Sequence, residues 1–514
     1  MKRIGKLMFV LLALILVISA CGGNSGKNGS NTDSVSSSGN QATGSEVPKN
    51  DSKEKITNLN VLIFGDGNTV KDLPIIQDAV NAHIKDLINV KVNMTIISPG
   101  DYVQKTNLLL SGNEQVDLMI VSPFFGYYSQ VARGQLQPLD ELIDQHGPDI
   151  KSVLGEDYLN TSRVNGKIYG VVPMKDMASG AGLTMRKDLV DKYGIDVTKI
   201  KSLEDMTAVF KVIKENEPGI IPLISGATGA SMLYFNKWYD DLGDGLGVLP
   251  NFDNGMKVVN LFETTEYAEQ LKLMREWYNK GYIGKDAATT KEVHLDVVKA
   301  GRAFSYFGPT KVGKVEQESN STGRPMVGAE YLAPASTTSS VLSFMWAVPL
   351  NAKTPEKSMK LLNLMYKDKD LINLLSWGVE GTHYVKISDN VINYPEGITA
   401  ANNPYAMGTK WQFGNSFSAY TLNGSDPDIF KKLEEFNKSA IKSKALGFSF
   451  DNSQVKTEIA AVTNVMNTYK NALEAGLLDP ADKLPEYISK LKEAGIDKII
   501  EEKQKQLDEW VKFN

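Results

Sequence analysis

"NLNVLIFGDGNTVKDLPIIQDAVNAHIKDLINVKVNMTIIS" occupies residues 58–98 and holds three elements in a row. Its first part, residues 58–66, is a nearly unbroken apolar run ending at Gly65 and Asp66, the pattern of a strand covered on both faces. The period then changes. Ile75, Ile76, Ala79, Val80, Ile84 and Leu87 fall on one helical stripe. From residue 90 apolar and polar residues alternate, and a second strand is predicted. Strand, helix and strand at these lengths make the helix a crossover and the strands parallel. "DYVQKTNLLLSGNEQVDLMIVS" (101–122) continues the scheme with a helix, a stop at Gly112 and a strand over 116–121. The chain reads as α/β.

The alternation persists outward. "NGKIYGVVP" (165–173) is a turn and a short strand, and "GAGLTMRKDLVDKYGI" (180–195) a strand entering a helix. Ser202 and Asp205 open the next helix as a near capping box. A periodic helix over 264–280 stops at Gly281. Thr354 and Pro355 begin one helix that runs to Gly378. From residue 455 the chain is helix after helix, and no internal repeat is seen.

Upstream of the body the composition is different. Lys2, Arg3 and Lys6 precede an apolar run over residues 7–18, then Ser19, Ala20 and Cys21, the one cysteine among 514 residues. The run is too short for a membrane span of about 20 residues and reads as a signal peptide over 1–20. Ile18-Ser19-Ala20-Cys21 resembles the bacterial lipobox, in which the cysteine is lipidated. A lone exported thiol has no internal disulfide partner, which agrees. Residues 21–55 are Gly, Ser, Asn, Asp and Lys with little to bury, so they read as a flexible tether. The net charge is −5, or −8 once the three cations of the signal peptide leave. No basic block suggests nucleic acid, and no second apolar run has spanning length.

Enzyme signatures begin and fail. Gly65-Asp66-Gly67 sits between a strand and a helix, but Val70 stands at the third glycine of a dinucleotide fingerprint. "GPTKVGKV" (308–315) has P-loop spacing, but Val315 replaces the magnesium-holding hydroxyl. His83, His146, His294 and His383 are scattered, and no GxSxG elbow occurs. Carboxylates abound, so a glycosidase pair stays open at this point. What remains is aromatic residues in loops beside polar ones, a pattern that suits sugars: a ring covers the C–H face of a pyranose while polar groups bond its hydroxyls. Phe124 follows a strand, where parallel sheets meet ligands. Trp238 sits in "YFNKWYDD", Tyr306 and Phe307 end a strand, and Trp377, Glu380 and His383 share a glycine-rich turn. Each also has an ordinary place in a core, as Trp277 in its periodic helix does.

"NGKIYGVVP", "GLTMRKDLVDKYGI" and "GRAFSYFGP" (301–309) resemble extracellular solute-binding proteins of the maltose-binding type, family 1. Residues 351–384 and 446–487 resemble its LipO-like lipoproteins, and the likeness covers about 56–510. The resemblance implies a type II periplasmic-binding fold of two α/β lobes with mostly parallel sheets and a helical C-terminal extension. Lobe 1 would be 56–174 plus 332–376, and lobe 2 would be 175–331 plus 377–514. The chain would cross near Met174, Leu332 and Trp377. An oligosaccharide would bind in the cleft near Gly65, Asp66, Phe124, Asp176, Trp238, Tyr306, Phe307, Trp377 and Glu380. It implies no catalytic residue, cofactor or metal, and a monomer held by Cys21 on the outer face of a Gram-positive cell membrane. Its partner would be an ABC permease. The rivals are a surface glycoside hydrolase, marked by two carboxylates at hydrolytic spacing, and a binder of peptides or other solutes, marked by a fixed charge pair.

Overall fold

Residues 55–112, 114–227 and 230–512 are described by a computed structural model; the signal segment, Cys21 and the tether up to residue 54 lie outside them. Among the described residues nine strands build the two larger sheets. They are β1 (Thr57–Phe64), β2 (Val90–Ile97), β3 (Leu118–Val121), β4 (Ser179–Arg186), β5 (Ile221–Ile224), β6 (Ala303–Thr310), β7 (Met326–Ser336), β8 (Met345–Ala347) and β9 (Ile441–Lys442). The first sheet has the order β8-β3-β1-β2 and the second β9-β7-β4-β6-β5. Four of the seven pairings are parallel: β1–β2, β1–β3, β6–β5 and β7–β9.

β1 and β2 pair from Thr57–Val90 to Phe64–Ile97, joined by helix α1 (Leu73–Ile88). Only Ile76, Val80 and Ile84 of that helix are buried. Ile75 and Leu87 are half exposed, so the buried stripe is narrower than the apolar pattern. Helix α2 (Tyr102–Ser111) leads to β3, which lies parallel to β1.

In the second lobe both faces of the sheet are covered. Helices α3 (Met206–Asn216) and α4 (Thr265–Asn279) bring Phe210, Ile213, Leu271, Met274 and Trp277 against Leu183 and Phe307. On the other face α5 (His294–Lys299) packs Val297 and Val298 with Tyr306, while Glu318 of α6 (Lys314–Thr322) takes a hydrogen bond from the Tyr306 hydroxyl at 2.7 Å. Helix α3 starts at Met206, later than its capping pair suggests, yet Ser202 and Asp205 still bond reciprocally.

The helix predicted over 354–378 is two, α7 (Pro355–Lys367) and α8 (Lys369–Trp377). Asp368 is extended (φ −90°, ψ 103°), and its carboxylate accepts from the Leu371 N–H, which starts a new helix where the old one stops. Both pack on the first core. Residues 378–436, read from the sequence as part of lobe 2, do not follow α8 across. Tyr405, Met407 and Phe413 are buried in the first core. Gln412 bonds both the N–H and the carbonyl of Phe64, and the fully buried Trp346 donates to the Gln412 carbonyl. Gly414 makes this possible: a Cβ there would lie 2.2 Å from the Met365 carbonyl oxygen.

The chain crosses between lobes at residues 174–179, 336–341 and 437–443. The last replaces the crossing expected at Trp377. Helix α9 (Ile429–Ser439) leads into it. The buried Asn437 ties the crossings, accepting from Met177 N–H at 2.9 Å and donating to the Lys175 carbonyl at 2.7 Å. Ser340 donates to the Met177 carbonyl, and Ser443 N–H to the Ser336 carbonyl. Helices α10 (Lys456–Glu474), α11 (Pro480–Glu493) and α12 (Ile496–Val511) then add Val462, Leu473, Tyr487, Leu491 and Ile499 to the second core. None of the described helices is long and apolar enough to cross a membrane.

Candidate interlobe binding site

The crossings fix which sheet edges face each other. β4 begins and β7 ends at them, so the carboxyl ends of β5 and β6 lie on the same edge of the second sheet. In the first sheet the carboxyl ends of β1 and β3 meet the amino end of β8, and aromatic rings collect there. Phe64, the last residue of β1, lies 5.4 Å from Phe125 and 5.3 Å from Phe344, centroid to centroid. Phe125 rests on Tyr102 at 5.0 Å, and Trp411 on Phe344 at 4.5 Å. These rings are half-buried apart from Tyr102, which is enclosed. Phe124 beside them is 75 % exposed, because Ser122 caps a short helical turn that turns it outward.

The second lobe presents a more polar edge. Tyr234 is half exposed, edge-on to Phe235 at 4.9 Å, with the Lys237 amine 5.6 Å over its ring. Lys237 pairs with Asp241 at 2.6 Å, and Ser339 of the second crossing donates to Asp241 at 3.3 Å. Gly226 is required here, since a Cβ would stand 1.6 Å from the Phe307 carbonyl oxygen. Asp176 of the first crossing pairs with Lys311, just past β6, at 2.7 Å. Next to it the Lys175 amine is buried and donates to the Ser340 and Asp176 carbonyls; burial lowers its pKa. This wall offers hydroxyl-binding donors and acceptors, and the first lobe offers apolar faces.

The residues singled out in the sequence fall into three groups. Asp66, Phe124 and Asp176 lie at the facing edges, with Asp66 exposed and capping Asn68 N–H at 2.9 Å, whereas Gly65 is corrected: it is buried, with Thr409 and Ile96 against it. Trp238 is half-buried against Tyr239, and its indole N–H has no partner among the described residues. The others stand elsewhere. Tyr306 and Phe307 are corrected: both are fully buried, because β6 is an inner strand with helices on both faces, and only its end at Lys311 reaches the edge. Trp377 donates to the Tyr420 carbonyl at 3.0 Å, and the Lys410 amine covers its ring at 3.3 Å. Burial lowers that amine to about 8. Glu380 is exposed and pairs with Lys386. Both lie in first-lobe structure, as the third crossing comes later. The reading missed Phe64, Phe344, Trp411, Tyr234 and Lys311. Phe64 had a signal, as the last apolar residue before Gly65. Trp411 had none, since Thr409 and Gln412 bond Phe64 across 345 and 348 residues. The P-loop-like glycine of 308–315 is strand, with Gly308 and Thr310 paired to β4.

The comparisons agree with this architecture. The family described as "Bacterial extracellular solute-binding protein" matches residues 73–372, and "Domain of unknown function (DUF3502)" matches residues 444–512. The chain is 30% identical over 445 residues to a protein of Streptococcus pneumoniae serotype 4 described as "Carbohydrate ABC transporter substrate-binding protein", covering 84% of this chain and 87% of that one. It is 25% identical over 326 residues to "Lipoprotein LipO" of Bacillus subtilis, covering 59% of this chain and 62% of that one. Among solved structures, the N-glycan transport solute binding protein NgtS from Streptococcus pneumoniae is 27% identical with a TM-score of 0.78, over 89% of this chain and 99% of that one. Its structures with Man1GlcNAc and Man5GlcNAc score 0.66 and 0.62 at the same identity. Two lobes joined by three crossings and a profile match over most of the body lead to one conclusion: the chain belongs to the bacterial extracellular solute-binding proteins.

Proposed function

We propose that this protein is the lipid-anchored substrate-binding component of an ABC importer, and that it captures an oligosaccharide between its lobes and presents it to a permease. The observation that carries the reading is the cluster of rings at the carboxyl edge of the first sheet, with the exposed Phe124 next to Phe125 in the chain. Rings stack on sugar C–H faces, and Asp66, Asp176 and Lys311 supply hydrogen bonds from around the cleft. The relatives described as a carbohydrate ABC transporter substrate-binding protein and an N-glycan transport protein support it. Of the three NgtS structures, the one described without a glycan scores highest against this chain, 0.78 against 0.66 and 0.62.

Screening the body against a glycan library by thermal shift, then calorimetry, tests this. A ligand at ~100 times its dissociation constant adds about 2.7 kcal/mol to stability. We expect stabilisation by at least one oligosaccharide and its recovery unaltered. No stabilisation by any glycan, or a glycan converted at more than one equivalent, sinks the binding-protein reading. The anchor rests on Cys21. Cys21→Ser should abolish incorporation of labelled palmitate and release the protein to the medium. Label retained by the variant refutes the anchor.

A further inference from the structure

Residues 409–416 run from the carboxyl end of β1 to the first crossing. The Thr409 hydroxyl donates to the Phe64 carbonyl at 2.8 Å, and the Ser416 hydroxyl to the Met174 carbonyl at 2.6 Å. Between these ends Trp411 joins the ring cluster, and its neighbour Lys410 lays its amine 3.3 Å over the centre of the half-buried Trp377 ring. The Lys410 side chain is itself half-buried, and its amine is not sealed from solvent. Among the described residues no carboxylate or carbonyl accepts from that amine, and burial alone acts on its charge. The other cations of the site are occupied. Lys311 pairs with Asp176, Lys237 pairs with Asp241, and Lys175 donates to the Asp176 and Ser340 carbonyls. Asp66 is exposed to water and does not act on Lys410.

A cation drawn out of water without a counter-ion is costly, and a ligand that brings the counter-ion recovers that cost. The chain as a whole is net negative, so an acid gains nothing from the general field of the molecule and must be held by a local charge. One free amine matches one negative charge. A phosphate monoester brings close to two, and the neighbouring cations are already paired. The singly charged group of uronic and sialic acids is a carboxylate, which forms a short, charge-assisted bond to an ammonium. We propose that Lys410 is a specificity-determining residue of the cleft, taking the carboxylate of an acidic sugar while the rings beside it hold neutral sugar faces. The proposal rests on the reading of the cleft as an oligosaccharide site and names the class of oligosaccharide.

Two matched pairs of glycans test it by calorimetry on the full chain. Trigalacturonic acid is compared with its carboxyl-reduced trisaccharide, and 6′-sialyllactose with lactose. We expect the acidic member of at least one pair to bind about tenfold or more tighter than its neutral partner. The pair that responds tells a uronate from a sialate. Lys410→Met keeps the stem on Trp377 and removes the charge. It should erase the preference and leave the neutral affinity unchanged, and Lys410→Arg should keep the preference. Lys410→Gln takes the place of the methionine variant should that one not fold. Equal affinity within both pairs overturns the role of Lys410, as does a preference that survives Lys410→Met or Lys410→Gln. A neutral glycan bound from the library with neither acidic probe bound also overturns it and leaves the oligosaccharide reading standing. Binding of no glycan at all takes both down.

Discussion

Two tryptophans separate binding from packing. Trp411 joins the ring cluster through Phe344, and Trp377 holds the Tyr420 carbonyl with its face covered by Lys410. An aromatic anchor at a binding surface is worth ~2 kcal/mol or more. Trp411→Ala should therefore weaken glycan binding roughly 30-fold, since ~1.4 kcal/mol is tenfold. Trp377→Ala should lose about 3 kcal/mol of stability through the cavity it leaves and bind nearly as before. Calorimetry and melting curves on both variants decide; the reverse pattern would return Trp377 to the ligand. A second residue sets a pH dependence. Asp240 is 1 % exposed, and burial pushes its carboxyl up to about 6 although Ser443 and the Leu242 N–H favour the charge. Asp241, Lys237 and Lys503 are the charges around it. The fold holds this proton more tightly than the unfolded chain does, so Asp240's contribution to stability is full below pH ~4 and is lost as pH rises through about 6. Asp240→Asn removes that loss. Urea unfolding at pH 4 and pH 7.5 should show the variant gaining on the parent by ~1–3 kcal/mol at the higher pH; an equal difference at both pH values refutes it.

Elements were legible wherever the pattern was local. α1, β1 and β2 follow from the change of period within residues 58–98. The break at Asp368 was not, because "KDKD" is as compatible with a continuous helix as with a cap, and the choice is made by where Leu371 and Leu362 must both be buried. Helix α9 was missed although Ile429, Phe430, Leu433 and Phe436 mark an apolar stripe in its sequence; of its eleven residues only Asn437 is buried. Asn437→Ala removes two hydrogen bonds between α9 and the first crossing, each worth about 1 kcal/mol. With Cys21 replaced and spin labels on the exposed residues 86 and 272, the distance distribution between the lobes should broaden in the unliganded variant. A distribution as narrow as the parent's would show that Asn437 does not stiffen the crossings.

At the scale of the molecule, two α/β lobes could be read from the sequence because strand–helix alternation is a property of neighbours. The cleft could be read only in part. Asp66, Phe124 and Asp176 stand at element ends, which local pattern marks, whereas the partnership of Phe64 with Trp411 and its neighbours depends on a segment that returns to β1 after more than 300 residues. Tyr306 and Phe307 misled because a strand end was placed three residues early, at Phe307 rather than Thr310. The three crossings carry one more consequence. Segments 174–179, 336–341 and 437–443 run side by side and are laced together by Asn437, Ser340 and Ser443. Three struts fastened along one line resist shear and twist and leave a single rotation free, as the pins of a door hinge do. On the function proposed above, the transporter would then read one number, the angle of that door, whatever the shape of the cargo behind it.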